Sequence, residues 1–187
     1  ISPTFTVPAA TTIYKHASCS YDADVSITGD VTDEADNCTS TMNATYVDAV
    51  ANGSCEGEEI ITRTWTLIDA CGNRTDKTQI ITVADTISPT FTVPAAITIY
   101  KDASCNYNAN VAITGDVTDE ADNCTTTLNA TFVDAVANGS CEGEQIITRT
   151  WTLIDACGNR TDKIQIITAV DTISPTFTVP AAITIYK

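Results

Sequence analysis

Histidine, methionine and positive charge are scarce in this sequence. Its 187 residues include 1 His, 1 Met and 9 Lys or Arg against 24 Asp or Glu, so the net charge is −15. Binding to a phosphate backbone needs clustered Lys and Arg. The composition therefore excludes a nucleic-acid binder and argues against attraction to an anionic membrane surface.

Long hydrophobic runs are missing as well. No stretch approaches the roughly 18 consecutive apolar residues of a transmembrane helix, and no segment has the layout of a signal peptide. Apolar residues make up 43% of the chain and charged residues 18%, which is the balance of a globular protein and not of a disordered one. The lack of a long apolar stretch predicts no membrane insertion in this segment. Because the sequence has no initial Met, we also expect a mature or excised segment.

An internal repeat dominates what is present. The ten residues from Ile1 to Ala10 return unchanged at Ile87 and again at Ile173, so the period is 86 residues. Residues 1–86 and 87–172 differ at only 13 positions, which indicates a recent duplication. We expect one Ig-like repeat in residues 1–86, a second in 87–172, and the first strand of a third in 173–187.

The periodicity within a repeat is that of β-strands. Between residues 60 and 68, Ile61, Trp65 and Leu67 alternate with threonines, which predicts a half-buried strand of an antiparallel sheet. A Trp on the apolar face of such a strand is typical of a sandwich core, although a sugar-stacking platform is the alternative. Arg63 shares that face, where we expect it to stack on the Trp or to pair with an acid.

Other segments rich in β-branched residues predict further strands. Residues 4–14 (interrupted at Pro8), 24–28, 41–48 and 78–83 are separated by Gly, Asn and Asp turn residues. No segment shows helical periodicity with caps. The sequence therefore predicts an all-β fold of tandem, disulfide-bonded, Ig-like antiparallel β-sandwiches, with the prolines on an edge strand.

Four cysteines in each repeat predict disulfides. No pair has the C-x₂-C spacing of a zinc knuckle, and the lone His lies beside no cysteine cluster. Disulfides imply an oxidising, extracellular setting. The cysteines are Cys19, Cys38, Cys55 and Cys71, repeated as Cys105, Cys124, Cys141 and Cys157.

Strand direction favours one of the three possible pairings. If strands alternate up and down, Cys19 and Cys55 end at one pole of the sandwich and Cys38 and Cys71 at the other. A strand of about nine residues spans roughly 30 Å, whereas bonded cysteines need Cα atoms within about 7 Å. We therefore expect bonds within each repeat, between Cys19 and Cys55 and between Cys38 and Cys71, repeated as Cys105–Cys141 and Cys124–Cys157.

Four short motifs give each repeat a recognisable pattern. They are Asp36-Asn37-Cys38, Arg63-Thr64-Trp65-Thr66, Asp69-Ala70-Cys71-Gly72-Asn73 and, opening the next repeat, Asp85-Thr86-Ile87-Ser88-Pro89. With them the whole unit resembles the hyalin-repeat (HYR-like) Ig-type modules of secreted bacterial adhesins. The resemblance implies a β-sandwich that serves as a spacer or adhesive element outside the cell and has no catalytic residues.

Acidic residues gather at one expected pole of the second repeat and in the linker before it. Ca²⁺ takes six to eight oxygen ligands, so this group predicts a Ca²⁺ site that neutralises the cluster and stiffens the junction. The alternative is a set of solvated loop acids, of which Asp85 and Asp155 cap turns. The six residues are Asp85, Asp119, Glu120, Asp122, Asn123 and Asp155.

Glycosylation signals recur in both repeats. Eight asparagines stand in N-x-S/T tripeptides, although a Thr-rich β-protein also makes such tripeptides by chance. The linker triplets around Thr86 and Thr172 look like the D-S/T-aliphatic sites that some bacteria O-glycosylate. The asparagines are Asn37, Asn43, Asn52, Asn73, Asn123, Asn129, Asn138 and Asn159.

Catalytic motifs are missing, which leaves a mechanical role as the main hypothesis. No nucleophile elbow or phosphate loop is present, and His16 is replaced by Asp102 in the second repeat, so we predict that the chain is not an enzyme. We predict an extracellular stalk or fibre whose partners are neighbouring copies of the repeat, in a covalent array or by strand addition through residues 173–187. The alternatives are an adhesin module that binds carbohydrate and an accessory region of a secreted hydrolase.

Overall fold

The computed structural model describes residues 1–185 and 187. Strands account for nearly all regular structure in these residues, which confirms the all-β class. The first repeat contains β1 (Thr4–Thr6), β2 (Thr11–Tyr14), α1 (Val25–Thr28), β3 (Thr32–Ala35), β4 (Thr45–Asn52), β5 (Glu59–Ile68) and β6 (Arg74–Ala84). The second contains β7 (Thr90–Thr92), β8 (Ile97–Tyr100), α2 (Val111–Thr114), β9 (Thr118–Ala121), β10 (Thr131–Asn138), β11 (Gln145–Ile154) and β12 (Arg160–Val170).

Each repeat forms one four-stranded and one two-stranded sheet. The strand orders are β2-β6-β5-β4 with β1-β3 in the first repeat, and β8-β12-β11-β10 with β7-β9 in the second. The central pairs β4–β5 and β5–β6 are antiparallel, as expected. The edge strand β2 pairs with β6 in parallel, with Thr11 opposite Ile81. The long chain between β2 and β6 supplies the crossover that a parallel pair requires.

The two sheets of the first repeat face each other across an apolar core. Phe5 of β1 packs against Trp65 and Leu67 of β5, and all three side chains are at most 3% exposed. Burial alternates along β5 as the sequence predicts, so the placement of Trp65 in the core is confirmed. Burying side chains of this size stabilises the fold by about 1.5–3 kcal/mol each.

Hydrogen bonds and aromatic contacts hold Arg63 inside this core. Its Nε and Nη2 donate to the two Asp48 carboxylate oxygens, each at 2.8 Å, and its Nη1 donates to Thr28 Oγ1 at 2.7 Å. Its guanidinium carbon lies 4.1 Å from the centroid of Tyr46 and 5.8 Å from that of Trp65. The expected pairing with an acid is confirmed, and the closer stacking partner is the tyrosine.

Residues 25–28 form a helical turn, so the strand predicted over 24–28 is wrong. The Asp24 carboxylate accepts a hydrogen bond from Ser26 N at 2.8 Å, which caps the start of α1. Gly29 ends the turn with a φ of 90°. An N-cap acid followed by a Gly stop outweighs the β-branched composition of so short a segment.

The described chain divides into two compact units. The first comprises residues 1–92, 119–131 and 152–162, and the second comprises 93–118, 132–151 and 163–187. The second unit has its own core, which includes Ile99, Ile147 and Ile167. The repeat boundaries at residues 86 and 172 stay a prediction.

The end of the chain contains no regular structure over the described residues 173–185, and their side chains are exposed. Elsewhere, β4 begins four residues later than the predicted strand 41–48, and β3 was not predicted. Among the described residues, no helix is both long and apolar enough to cross a membrane.

Candidate metal centre

Two disulfides within the first unit join the first repeat to the second. Cys19 is bonded to Cys124, 105 residues further along, and Cys55 is bonded to Cys157, 102 residues further along. The Cα atoms of the bonded pairs are 5.0 and 5.1 Å apart, within the usual range. The chain is therefore cross-linked between repeats, beside the linker that connects them.

The pairing predicted within each repeat is wrong. Cys19 is not bonded to Cys55, nor Cys124 to Cys157, because each has a partner in the other repeat. The placement of these cysteines at two poles of each repeat stays a prediction, whereas the bonding partners lie in the adjoining repeat. The cysteines that remain free thiols in the described chain are Cys38, Cys71, Cys105 and Cys141, so Cys38–Cys71 and Cys105–Cys141 are not bonded either.

Three carboxylates converge next to these disulfides. Asp85, Asp122 and Asp155 each place one oxygen within 4.8 Å of the other two. Each follows directly or almost directly on a strand end, at β6, β9 and β11. Asp85 and Asp155 are only 6% exposed, and Asp122 is half-buried. Three charges of the same sign this close and this poorly solvated repel one another unless a cation lies between them.

Backbone amides hold two of these carboxylates in place. Asp122 Oδ2 accepts hydrogen bonds from the N–H groups of Cys124 at 3.0 Å and Thr125 at 2.8 Å. Asp85 Oδ1 accepts a hydrogen bond from the N–H of Ile87 at 3.1 Å. These turns fix one oxygen of each carboxylate and leave the other oxygen available.

The third carboxylate is held in a similar way. Asp155 Oδ1 accepts hydrogen bonds from the N–H groups of Cys157 at 2.9 Å and Asn159 at 2.8 Å. Its Oδ2 accepts from Asn159 Nδ2 at 2.7 Å, and the same Nδ2 also donates to the Asp85 carbonyl at 3.2 Å. Asn159 therefore ties the linker residue to the loop after β11.

Three buried oxygens in this region lack a hydrogen-bond partner among the described residues. They are Asp85 Oδ2, Asp122 Oδ1 and Asn123 Oδ1. Asn123 Nδ2 is satisfied, since it donates to Asp85 Oδ1 at 3.1 Å and to the His16 carbonyl at 3.2 Å. A buried unpartnered oxygen is costly, and a carboxylate oxygen more so. Hard oxygen donors of this kind suit Ca²⁺ better than a transition metal.

The structure brings together four of the six residues predicted as metal ligands. Asp85, Asp122 and Asp155 form the cluster, and Asn123 adjoins it. Glu120 Oε1 instead accepts a hydrogen bond from Ala130 N at 2.6 Å, and Asp119 is an exposed residue of β9. Both precede the end of the strand, whereas Asp122 follows it and can turn toward the linker.

The first repeat carries the same loops. Asp36, the equivalent of Asp122, also has a buried Oδ1 without a partner in the described chain. The N–H of Cys38 donates to its other oxygen and lowers the pKa of the Asp36 carboxyl. The side chain of Asn73 likewise lowers the pKa of Asp69, the equivalent of Asp155. By contrast Asp171, the equivalent of Asp85, is exposed.

The predicted glycosylation residues fall into two groups. Asn123 and Asn159 are half-buried, and their amide nitrogens donate to Asp85, so a glycan there would remove these bonds. The others are exposed, and their modification stays a prediction: Asn37, Asn43, Asn52, Asn73, Asn129, Asn138, Thr86 and Thr172.

Comparisons with known proteins do not show a family for this chain. No protein-family model matches the chain, and no curated protein matches it. Among solved structures, the crystal structure of human CDH23 EC21-23 matches with 12% sequence identity and a TM-score of 0.40. That match covers 92% of this chain and 70% of the other. A likeness at this level carries no argument about function.

Proposed function

We propose that the chain is an extracellular structural module, in which tandem Ig-like repeats act as a stalk or spacer and Ca²⁺ stiffens the junction between them. The observation that carries the proposal is the pair of disulfides between repeats, Cys19–Cys124 and Cys55–Cys157. Disulfides persist in oxidising surroundings outside the cytosol, which supports the extracellular location. The resemblance to hyalin-repeat modules and the exposure of most of the predicted glycosylation residues fit a cell-surface protein.

The disulfides support a mechanical role because a pulling force passes through them and not through the residues between the bonded cysteines. Pulled from its two ends, the chain transmits force from Cys19 directly to Cys124, so much of both repeats is bypassed. Bonds that close loops of about 100 residues also stabilise the folded state by about 4–5 kcal/mol by restricting the unfolded chain. A spacer benefits from both effects, since it must keep its length under tension.

Calcium is the second part of the proposal. Asp85, Asp122 and Asp155 would supply carboxylate oxygens, and Asn123 an amide oxygen, to one ion at the junction. When bound, Ca²⁺ offsets the repulsion among the three carboxylates and joins linker and loops through one centre. The role of the protein residues is to hold these oxygens in place through their backbone and amide hydrogen bonds.

Single-molecule pulling tests the proposed spacer function. With handles at both termini, the measured quantity is the end-to-end length of the unfolded, fully extended chain. We expect about 280 Å for the oxidised chain, because the covalent path passes from Cys19 directly to Cys124, and about 630 Å for the reduced chain. Bonds within each repeat would instead give about 390 Å. The variant Cys38→Ser/Cys71→Ser is the control and should leave the oxidised length unchanged. Equal lengths before and after reduction would refute the proposal.

A further inference from the structure

The four free cysteines correspond one by one to the four bonded cysteines. Shifted by one repeat of 86 residues, Cys38 is the equivalent of Cys124, and Cys71 is the equivalent of Cys157. Likewise Cys105 corresponds to Cys19 and Cys141 to Cys55. We call Cys38 and Cys71 the front pair, and Cys105 and Cys141 the rear pair. The rear pair is thus chemically matched to the front pair of another copy.

The loop of Cys105 is already in the conformation of its bonded counterpart. Cys19 and Cys105 both adopt positive φ, 55° and 64°, which is uncommon for a residue with a side chain. In each case the cysteine N–H donates at 2.9 Å to the carbonyl three residues earlier, His16 or Asp102. This conformation therefore exists without the disulfide, and the free thiol needs no refolding of its loop.

The loop of Cys141 also repeats the geometry of the bonded site. In both loops, the N–H of the third residue after the cysteine donates to the cysteine carbonyl at 3.1 Å. Gly57 and Gly143 follow with φ of 100° and 91°. A Cβ at Gly57 would lie 2.7 Å from Cys124 Cβ, so the glycine leaves room for the incoming cysteine. Gly143 leaves the same space next to the free thiol of Cys141.

The front pair also makes the same backbone hydrogen bonds as its bonded equivalents. Asp36 Oδ2 accepts the N–H of Cys38 at 2.9 Å, as Asp122 Oδ2 accepts that of Cys124 at 3.0 Å. Asp69 Oδ1 accepts the N–H of Cys71 at 2.9 Å, just as its equivalent in the second repeat accepts that of the bonded cysteine. All four free cysteines are exposed, so another molecule can reach them.

We propose that two copies of this chain couple head to tail through two disulfides, in which the rear pair of one copy bonds to the front pair of the next. Cys105 bonds to Cys38 of the second copy, and Cys141 bonds to its Cys71. The partner is a second copy of this chain, because its front pair lies in loops equivalent to those of Cys124 and Cys157, which bond the equivalents of the rear pair. This coupling goes beyond the spacer function and does not rest on calcium.

Each new disulfide requires an oxidant, for which we name a small disulfide such as oxidised glutathione. The Cys105 thiolate attacks one glutathione sulfur, which forms a mixed disulfide and releases one glutathione thiolate. The Cys38 thiolate of the second copy then attacks the Cys105 sulfur, forms the protein disulfide and releases the second glutathione. Two protein thiols are thereby oxidised while one glutathione disulfide is reduced to two thiols.

The exposed segment 173–185 is compatible with this coupling. It repeats residues 1–13 with one change, since Ile183 stands where the first repeat has Thr11. In a coupled pair, residues 1–13 of the second copy can form its strands β1 and β2, or residues 173–185 of the first copy can form these two strands in their place. The cysteine pairing is the same in both arrangements, so the cross-links formed do not depend on which arrangement is adopted.

Two half-blocked variants of the full chain test the proposal. Cys38→Ser/Cys71→Ser keeps only the rear pair, and Cys105→Ser/Cys141→Ser keeps only the front pair. In a glutathione redox buffer, we expect each variant alone to stay monomeric and an equimolar mixture to give a covalent dimer. Wild type should form a ladder of oligomers. Mass spectrometry of the cross-linked peptides should identify Cys105–Cys38 and Cys141–Cys71.

Every other outcome would overturn the proposal. Dimers of either variant alone in the same yield would indicate indiscriminate oxidation of exposed thiols. Cys38–Cys71 or Cys105–Cys141 peptides within one chain would show pairing inside a repeat, and a mixture that stays monomeric would show no coupling. An intact Cys19–Cys124 bond in each variant confirms that the fold is preserved. Because that bond is measured separately, failure of coupling is distinguishable from failure of the spacer function.

Discussion

Cys19 is bonded to Cys124, the residue that occupies in the second repeat the place of Cys38 in the first. In the same way, Cys55 is bonded to Cys157, the residue of the second repeat that corresponds to Cys71 in the first. In the described chain, two cysteines of the first repeat are therefore bonded to two cysteines of the second, and no bond closes within a repeat.

Replacing Asp85 by Asn should weaken calcium binding at the junction. The change removes one of three clustered carboxylates and keeps the side-chain shape, so we expect a loss in affinity of at least about tenfold. Isothermal titration with Ca²⁺ measures it. The matched control is Asp171→Asn, at the equivalent but exposed position, which should leave the affinity unchanged. Equal affinities for Asp85→Asn and wild type would contradict the proposed site.

Substituting Gly57 should disturb the junction more than substituting its equivalent, Gly143. Both have positive φ, so alanine costs about 1 kcal/mol of conformational energy at either position. Only at Gly57 would the new Cβ also approach Cys124 Cβ, to 2.7 Å, whereas at Gly143 the nearest atom is Asp171 Cβ at 3.5 Å. We expect a larger fall in the unfolding free energy for Gly57→Ala, measured by chemical denaturation. Equal losses would indicate that the close approach is relieved at no cost.

Changing Arg63 to Lys should destabilise the first repeat. Lysine cannot make the paired bonds to Asp48 together with the bond to Thr28, so the carboxylate and the buried hydroxyl lose donors. We expect a loss of about 2–4 kcal/mol in the unfolding free energy. Arg74→Lys is the control, since the ion pair of Arg74 with Asp76 is exposed to solvent, which screens it, so this change should have little effect on stability. A loss at Arg63 as small as that at Arg74 would refute this account.

The all-β class and the buried face of the central strand could be predicted from the sequence, because their signals are local. Alternation of Ile61, Trp65 and Leu67 with threonines sets the buried face of β5, and the period of 86 residues sets the repetition. The helical turn over residues 25–28 is not predicted by composition, because its cap, Asp24, precedes β-branched residues that are typical of a strand. The parallel pairing of β2 with β6 joins segments about 70 residues apart, which no local pattern encodes.

The candidate site could be predicted only in part. The convergence of Asp85, Asp122 and Asp155, with Asn123 beside them, is predictable because acids at strand ends and in a linker meet at one pole. The disulfide partners do not follow from strand direction within one repeat, because geometry across the junction decides which cysteines meet. Four cysteines divided between two poles, in a chain with a second near-identical repeat, contained the signal for pairing between repeats.

Glu59 should stabilise the first repeat in a pH-dependent way. Lys15 Nζ donates to Glu59 Oε1 at 2.7 Å, and the lysine side chain is only 3% exposed. Burial raises the pKa of the Glu59 carboxyl, but hydrogen bonds from Lys15 and Tyr21 outweigh this effect, so the pKa is lowered in the folded chain. A lowered pKa means that the stabilisation is full above the unfolded value, about 4.3, and is lost as the pH falls through the folded value.

The repeat provides both the test and its control. At pH 7, Glu59→Gln should lower the unfolding free energy by about 1–2 kcal/mol, and the difference from wild type should shrink below about pH 4. The second repeat already has Gln145 at this position, and Lys101, the equivalent of Lys15, is buried there too, so Gln145→Glu should stabilise the chain above that pH. Denaturation curves between pH 3 and 7, at about six values, measure both. A Glu59→Gln effect of constant size across this range would show that the loss is one of packing, because only a titrating carboxylate changes its contribution with pH.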